Sequence, residues 1–173
     1  MKPIAVTLLT AVLLAPSTTL GQTRRRPAPR RPTQAQTQAR VTQVRTAGAT
    51  RVADQIKHLT RFIYLLGGVA SGIAAVDEAV RRNEAPPNIV QKNQRDKVLV
   101  KTSIANFREG LDKLEIDFRA TPELQPYYIK LAGVAAGAAR AEEEAAASRF
   151  DAAGRTLLNV VSRLADVLVV MRQ

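Results

Sequence analysis

Val100 to Phe118 reads VKTSIANFREGLDKLEIDF. Its apolar residues Val100, Ile104, Phe107, Leu111, Leu114 and Phe118 fall four, three, four, three and four positions apart. That spacing draws one stripe along one face of a helix. Its regularity favours neighbours that lie nearly parallel or antiparallel to it, in the manner of a coiled coil. One stripe cannot close a core, so the fold is decided by the segments on either side.

Upstream, Val52, Ile56, Leu59, Ile63, Leu66, Ala70, Ile73, Val76 and Val80 recur at intervals of three or four and predict a first helix. Arg81 and Arg82 suit its negative end, and Pro86-Pro87 breaks the chain. Asn88 is the expected cap of the second helix, with Gln91 in the capping-box position. Downstream, Thr121, Pro122 and Glu123 form a helix start, followed by Leu124, Tyr127, Tyr128, Leu131 and an alanine-rich stretch through Ala135, Ala138 and Ala139. Ser148 with Asp151 predicts a turn and a capped fourth helix on Phe150, Leu157, Val160, Val161, Leu164, Leu168 and Met171. One uninterrupted helix from Pro122 onward is the alternative, disfavoured by its length. Short connections between long helices predict an all-α, antiparallel up-down-up-down four-helix bundle over residues 46–173. The segment SRFDAAGRTLL resembles the inter-helix turn of a tetratricopeptide repeat, although no 34-residue self-similarity accompanies it.

The N-terminus has a different character. Lys2 precedes an uncharged, mostly apolar run from Ile4 to Ala15, then Pro16 and the small Ser17, Thr18 and Thr19. This is the pattern of a signal peptide over residues 1–21, with Thr19 and Gly21 small enough for peptidase recognition and Gln22 as the new N-terminus. The run is shorter than the roughly 20 apolar residues of a spanning helix, so no transmembrane span is expected in the mature chain. Residues 22–45 are rich in Arg, Pro and Gln and carry almost no large apolar side chain, which predicts a disordered arm.

Of the formal charge of +11, most belongs to this arm, because the first acid in the chain is Asp54. Arg24, Arg25, Arg26, Arg30 and Arg31 are the candidate anion contacts, for acidic envelope polymers, anionic lipid or nucleic acid. Nucleic acid is disfavoured by export and by the absence of aromatic residues interleaved for base stacking.

The 173 residues include no Cys and a single His, which excludes disulfide scaffolds, thiol nucleophiles and multi-histidine metal sites. His58 lies four residues after Asp54, but a dyad would still need a nucleophile, and a surface ion pair is the plainer reading. Glu142, Glu143 and Glu144 point in three directions on a helix and make a poor metal cage. No phosphate-binding loop or nucleophile elbow occurs. A non-enzyme without cofactor or metal is expected.

Gly67, Gly68 and Gly72 in the first helix, and Gly133 and Gly137 in the third, each cost about 1 kcal/mol relative to Ala inside a helix. Their small-xxx-small spacing predicts close helix packing, with both sets meeting as a narrow waist or the floor of an apolar cavity. The uncharged run from Phe62 to Val76 is expected to be a buried central segment. These features predict an exported protein, periplasmic or extracellular, serving as an interaction or scaffolding module with a protein partner or itself. Its arm would bind an anionic surface. A carrier of a small apolar ligand is the alternative.

Overall fold

A computed structural model describes residues 33–173. Among them the chain is helical throughout, with α1 at Gln34–Arg81, α2 at Pro87–Ala120, α3 at Gln125–Leu131, α4 at Val134–Ala146 and α5 at Phe150–Arg172. Helix α1 is 48 residues long, about 72 Å at 1.5 Å per residue. It starts well before the expected domain boundary, so residues 34–45 are the first turns of a helix and not part of a disordered arm. Thr33 and Gln36 make the start. The Gln36 amide donates to the Thr33 hydroxyl at 3.4 Å and the Thr33 amide donates to the Gln36 side chain at 3.0 Å. Residues 33–43 are all exposed.

Two helix ends close in the same way. At the end of α1, the Asn83 and Glu84 amides reach back to the carbonyls of Val80 and Ala79, with Asn83 at φ 57°. At the end of α4, the Ser148 and Arg149 amides reach back to Ala145 and Glu144, with Ser148 at φ 59°. Both are Schellman closures built on a polar residue instead of glycine. The predicted turn at Ser148 is therefore present, but Ser148 terminates α4 and does not cap α5, which has no side-chain cap. Similarly, α2 begins on Pro87 after Pro86, without a side-chain cap, so Asn88 and Gln91 form no capping box there.

The third predicted helix is divided. Residues 122–124 form a turn, α3 is a short segment, and Gly133 at φ +87° breaks the chain before α4. Only glycine adopts that φ cheaply. Distant side chains complete the break: Arg163 of α5 donates to the Ala132 carbonyl at 2.9 Å and to the Gly133 carbonyl at 3.3 Å. The Glu115 carboxylate of α2 accepts from the Ala135 amide at 2.8 Å, placing an anion at the positive end of α4.

Helix α1 packs on α2 and α5, and α4 packs on the same two. Along α1 and α2 residue numbers rise on one as they fall on the other: Arg51 bonds to Asp117, the Phe62 ring lies 5.1 Å from Phe107, and Asp77 accepts from Asn93. The α2–α4 pair runs likewise through Lys101 with Ala146, Arg108 with Glu142, and Glu115 with Ala135. Val52, Leu59, Leu66 and Ile73 line the core side of α1 at intervals of seven, opposite Ile104, Leu111, Leu114 and Phe118 of α2 and Leu157, Leu164 and Val167 of α5. Of the α2 stripe, Phe107 alone is only half-buried.

Candidate interaction surface on α1

A helix that buries Val52, Leu59, Leu66 and Ile73 turns a second stripe outward: Arg61, Tyr64, Gly68, Ser71, Ala75 and Glu78, all exposed. Tyr64 is 83% exposed, and its neighbour Leu65 is 56% exposed. This corrects the expectation of a buried central segment. The uncharged run from Phe62 to Val76 belongs to an outer helix with one face in the core. By length and composition, an 18-residue window of α1 would suit a membrane span, and only 22% of it is buried. Between Arg61 and Glu78 the outward side of α1 carries no charge and exposes Tyr64, Leu65 and Val69.

The glycines shape that face. A Cβ added at Gly67, Gly68 or Gly72 would meet nothing within 4 Å. They therefore lower a ridge without serving any contact inside the fold. On one side, Gly68, Val69 and Gly72 border a groove of about 280 Å³ against Ile89, Lys92 and Asp96 of α2. On the other, Ile63 and Gly67 border a groove of about 280 Å³ against Gly154, Arg155 and Leu158 of α5. The bare ridge between two grooves makes a shallow saddle along α1.

Charge marks both ends of the saddle. Arg61 stands at one end and takes part in none of the ion pairs among the described residues. Glu78 stands at the other, where it accepts from Arg81 and lies 4.0 Å from Arg82. Its hydrogen bond and charge hold the Arg81 guanidinium above its ordinary pKa. Beneath this end, the core stripe of α2 turns polar. Asn93 and Lys97 donate to the same oxygen of Asp77 at 2.8 and 2.7 Å. Asn93 is the one buried polar residue among those described. Such a group fixes the register of α1 on α2, because any slip would strand the amide without a partner.

The other predicted features lie elsewhere. Gly133 and Gly137 face α5: a Cβ at Gly137 would come within 2.8 Å of Val160, and one at Gly133 within 3.3 Å of Arg163. The two glycine sets therefore do not meet, and the expected waist is not formed. Gly48, which belongs to neither set and has no small-xxx-small partner in the sequence to mark it, is the close approach on α1, with its Cβ position 2.8 Å from Leu124 and 3.1 Å from Met171. Asp54 pairs with Lys57 at 3.1 Å, and His58 is exposed. Glu142 binds Arg108 at 2.6 Å and Glu144 accepts from Thr156 at 2.7 Å, so two of the three glutamates tie α4 to its neighbours.

Arg24, Arg25, Arg26, Arg30 and Arg31 lie outside the described residues, as do residues 1–21. Within α1, Arg40 pairs with Glu123 at 3.4 Å and Arg51 with Asp117. Larger clefts open between helices at the surface. One of about 340 Å³ is walled by Asp77, Arg149, Asp151 and Arg155, and one of about 420 Å³ by Lys130, Arg163 and Asp166.

The uncharged run was visible in the sequence, but its exposure was not. The signal was the offset of Tyr64, Gly68, Ser71 and Ala75 from the heptad that carries Leu59 and Leu66. No family model matches the chain, and neither the curated proteins nor the solved structures include a significant match to it.

Proposed function

We propose that the protein is an exported, non-enzymatic interaction or scaffolding module. It is an up-down-up-down four-helix bundle that presents the outer face of α1, held at an anionic envelope surface by the Arg-rich segment preceding Thr33. The observation that carries this reading is the apolar saddle of α1, exposed beside a well-filled core and lined by glycines that the fold itself does not use. The placement of charge supports the tether. Five arginines crowd residues 24–31, whereas from Asp54 onward the acids nearly balance the cations of the same stretch.

A carrier of an apolar ligand has less support. Its premise was a cavity where the two glycine sets meet, and Gly68 and Gly137 contact different surroundings. The large clefts mix charged side chains with apolar ones in about equal measure, unlike the mostly apolar lining of a typical ligand pocket.

The experiment compares a chain beginning at Gln22 with one beginning at Thr33, which retains the cap of α1. Each is co-sedimented with anionic vesicles and with cell-wall fragments over a salt series. Binding by the longer chain alone, falling as salt rises, is expected. Equal binding by both would reject the tether.

A further inference from the structure

We infer that the outer stripe of α1 is a self-complementary docking surface for a second copy of this chain, with the two α1 helices crossing antiparallel about a two-fold axis between Val69 and Ala70. The inference deepens the proposed interaction role and rests on it. It is carried by the order of residues along the exposed stripe. An axis at that point sets Arg61 opposite Glu78, Tyr64 opposite Ala75, and Gly68 opposite Ser71, each pair occurring twice. Each of these three pairings is favourable: cation faces anion, the largest exposed ring faces a methyl group, and the bare ridge faces a small hydroxyl. A two-fold contact demands this self-complementarity, since the same patch serves both copies.

The glycines acquire a purpose in this arrangement. Open space above Gly68 and Gly72 lets a second backbone come close, which multiplies van der Waals contact along the crossing. Leu65 and Tyr64 stand beside that space and would fill it from the opposite copy. Glu78 holds Arg81 through Oε2, and its Oε1, from which Arg82 stands off at 4.0 Å, has lone pairs to receive the partner's Arg61. The stripe from Arg61 to Glu78 is about 26 Å long, so the contact is small and the dimer is concentration-dependent.

Sedimentation of the full chain over a concentration series tests this directly. Wild type is expected to pass from monomer to dimer. Gly68→Leu should remain monomeric at every concentration while melting no lower than wild-type monomer, since the new side chain enters open space within the fold. Arg61→Glu and Glu78→Arg should each weaken the dimer several-fold, and the double variant should recover most of the loss, because reversing both charges rebuilds the pair across the axis. A wild-type chain that is monomeric throughout, or a dimer indifferent to Gly68→Leu and to the charge exchange, overturns the proposal. So does a monomer that pellets with neutral lipid vesicles through this face, which would assign the saddle to a membrane. Anionic vesicles run alongside keep the two readings apart: a strict monomer still captured by them rejects the dimer and leaves the tether standing.

Discussion

The pair Gly68 and Gly72 on α1 and the pair Gly133 and Gly137 at the start of α4 share a spacing and do opposite things. Gly137 sits where α4 presses on α5, with Val160 so near that a methyl group would collide. Gly68 and Gly72 sit on the outward face of α1 with nothing above them. A small-xxx-small pair therefore says that a backbone is laid bare, and only the heptad phase of its helix says to whom. On α4 the bare side coincides with the core stripe of Val134, Ala138, Ala141 and Ala145. On α1 it lies away from Leu59, Leu66 and Ile73.

The same contrast separates two adjacent leucines, and the largest effect is expected there. Leu66 is 3% exposed and Leu65 is 56% exposed. Leu66→Ala should cost about 2–5 kcal/mol in a denaturant melt, from lost transfer energy and the cavity left behind. Leu65→Ala should change monomer stability by about 0.5 kcal/mol or less. Comparable losses at both positions would mean that the run from Phe62 to Val76 is enclosed after all.

A smaller effect is expected at the α3–α4 break. Gly133→Ala places a side chain at φ +87° and 3.3 Å from Arg163. It should cost about 1–2 kcal/mol, the penalty of a left-handed conformation. Stabilisation by this change, measured by thermal melting, would instead imply a continuous helix from α3 into α4.

Much of the fold follows from local pattern. The stripe from Val100 to Phe118 is the core face of α2, and the turn near Ser148 lies where its polar residues announced it. The failures share a cause, which is dependence on partners far along the chain. Gly133 looks like a tolerated helix glycine until Arg163 and Glu115 supply the groups that satisfy the break. Ser148 resembles a cap for α5 until the carbonyls of α4 claim the chain end. Residues 34–45 read as disordered by composition, although Thr33 and Gln36 already spelled a capping box.

The surface of α1 was legible only in part. Intervals of three and four gather every apolar residue of a long helix into one stripe, and Val80, counted in that stripe, is 41% exposed. Recognising Tyr64 and Gly68 as outward required the narrower seven-residue repeat of Val52, Leu59, Leu66 and Ile73. One-sided burial depends on where a helix's neighbours lie, and along this stretch α1 is covered only on the side that faces α2 and α5.

Gly67, Gly68 and Gly72 of α1 are left free by the fold, while Gly137 is consumed by it. The most direct measurement compares the melting of Gly68→Ala/Gly72→Ala with that of Gly137→Ala, at a dilution where the chain sediments as a monomer. The paired α1 changes should raise stability by about 1 kcal/mol per site through helix propensity. Gly137→Ala should lower it by about 1–3 kcal/mol, because Val160 is stiff and cannot yield. Opposite signs are the predicted result, and a loss of stability in both variants would contradict the account.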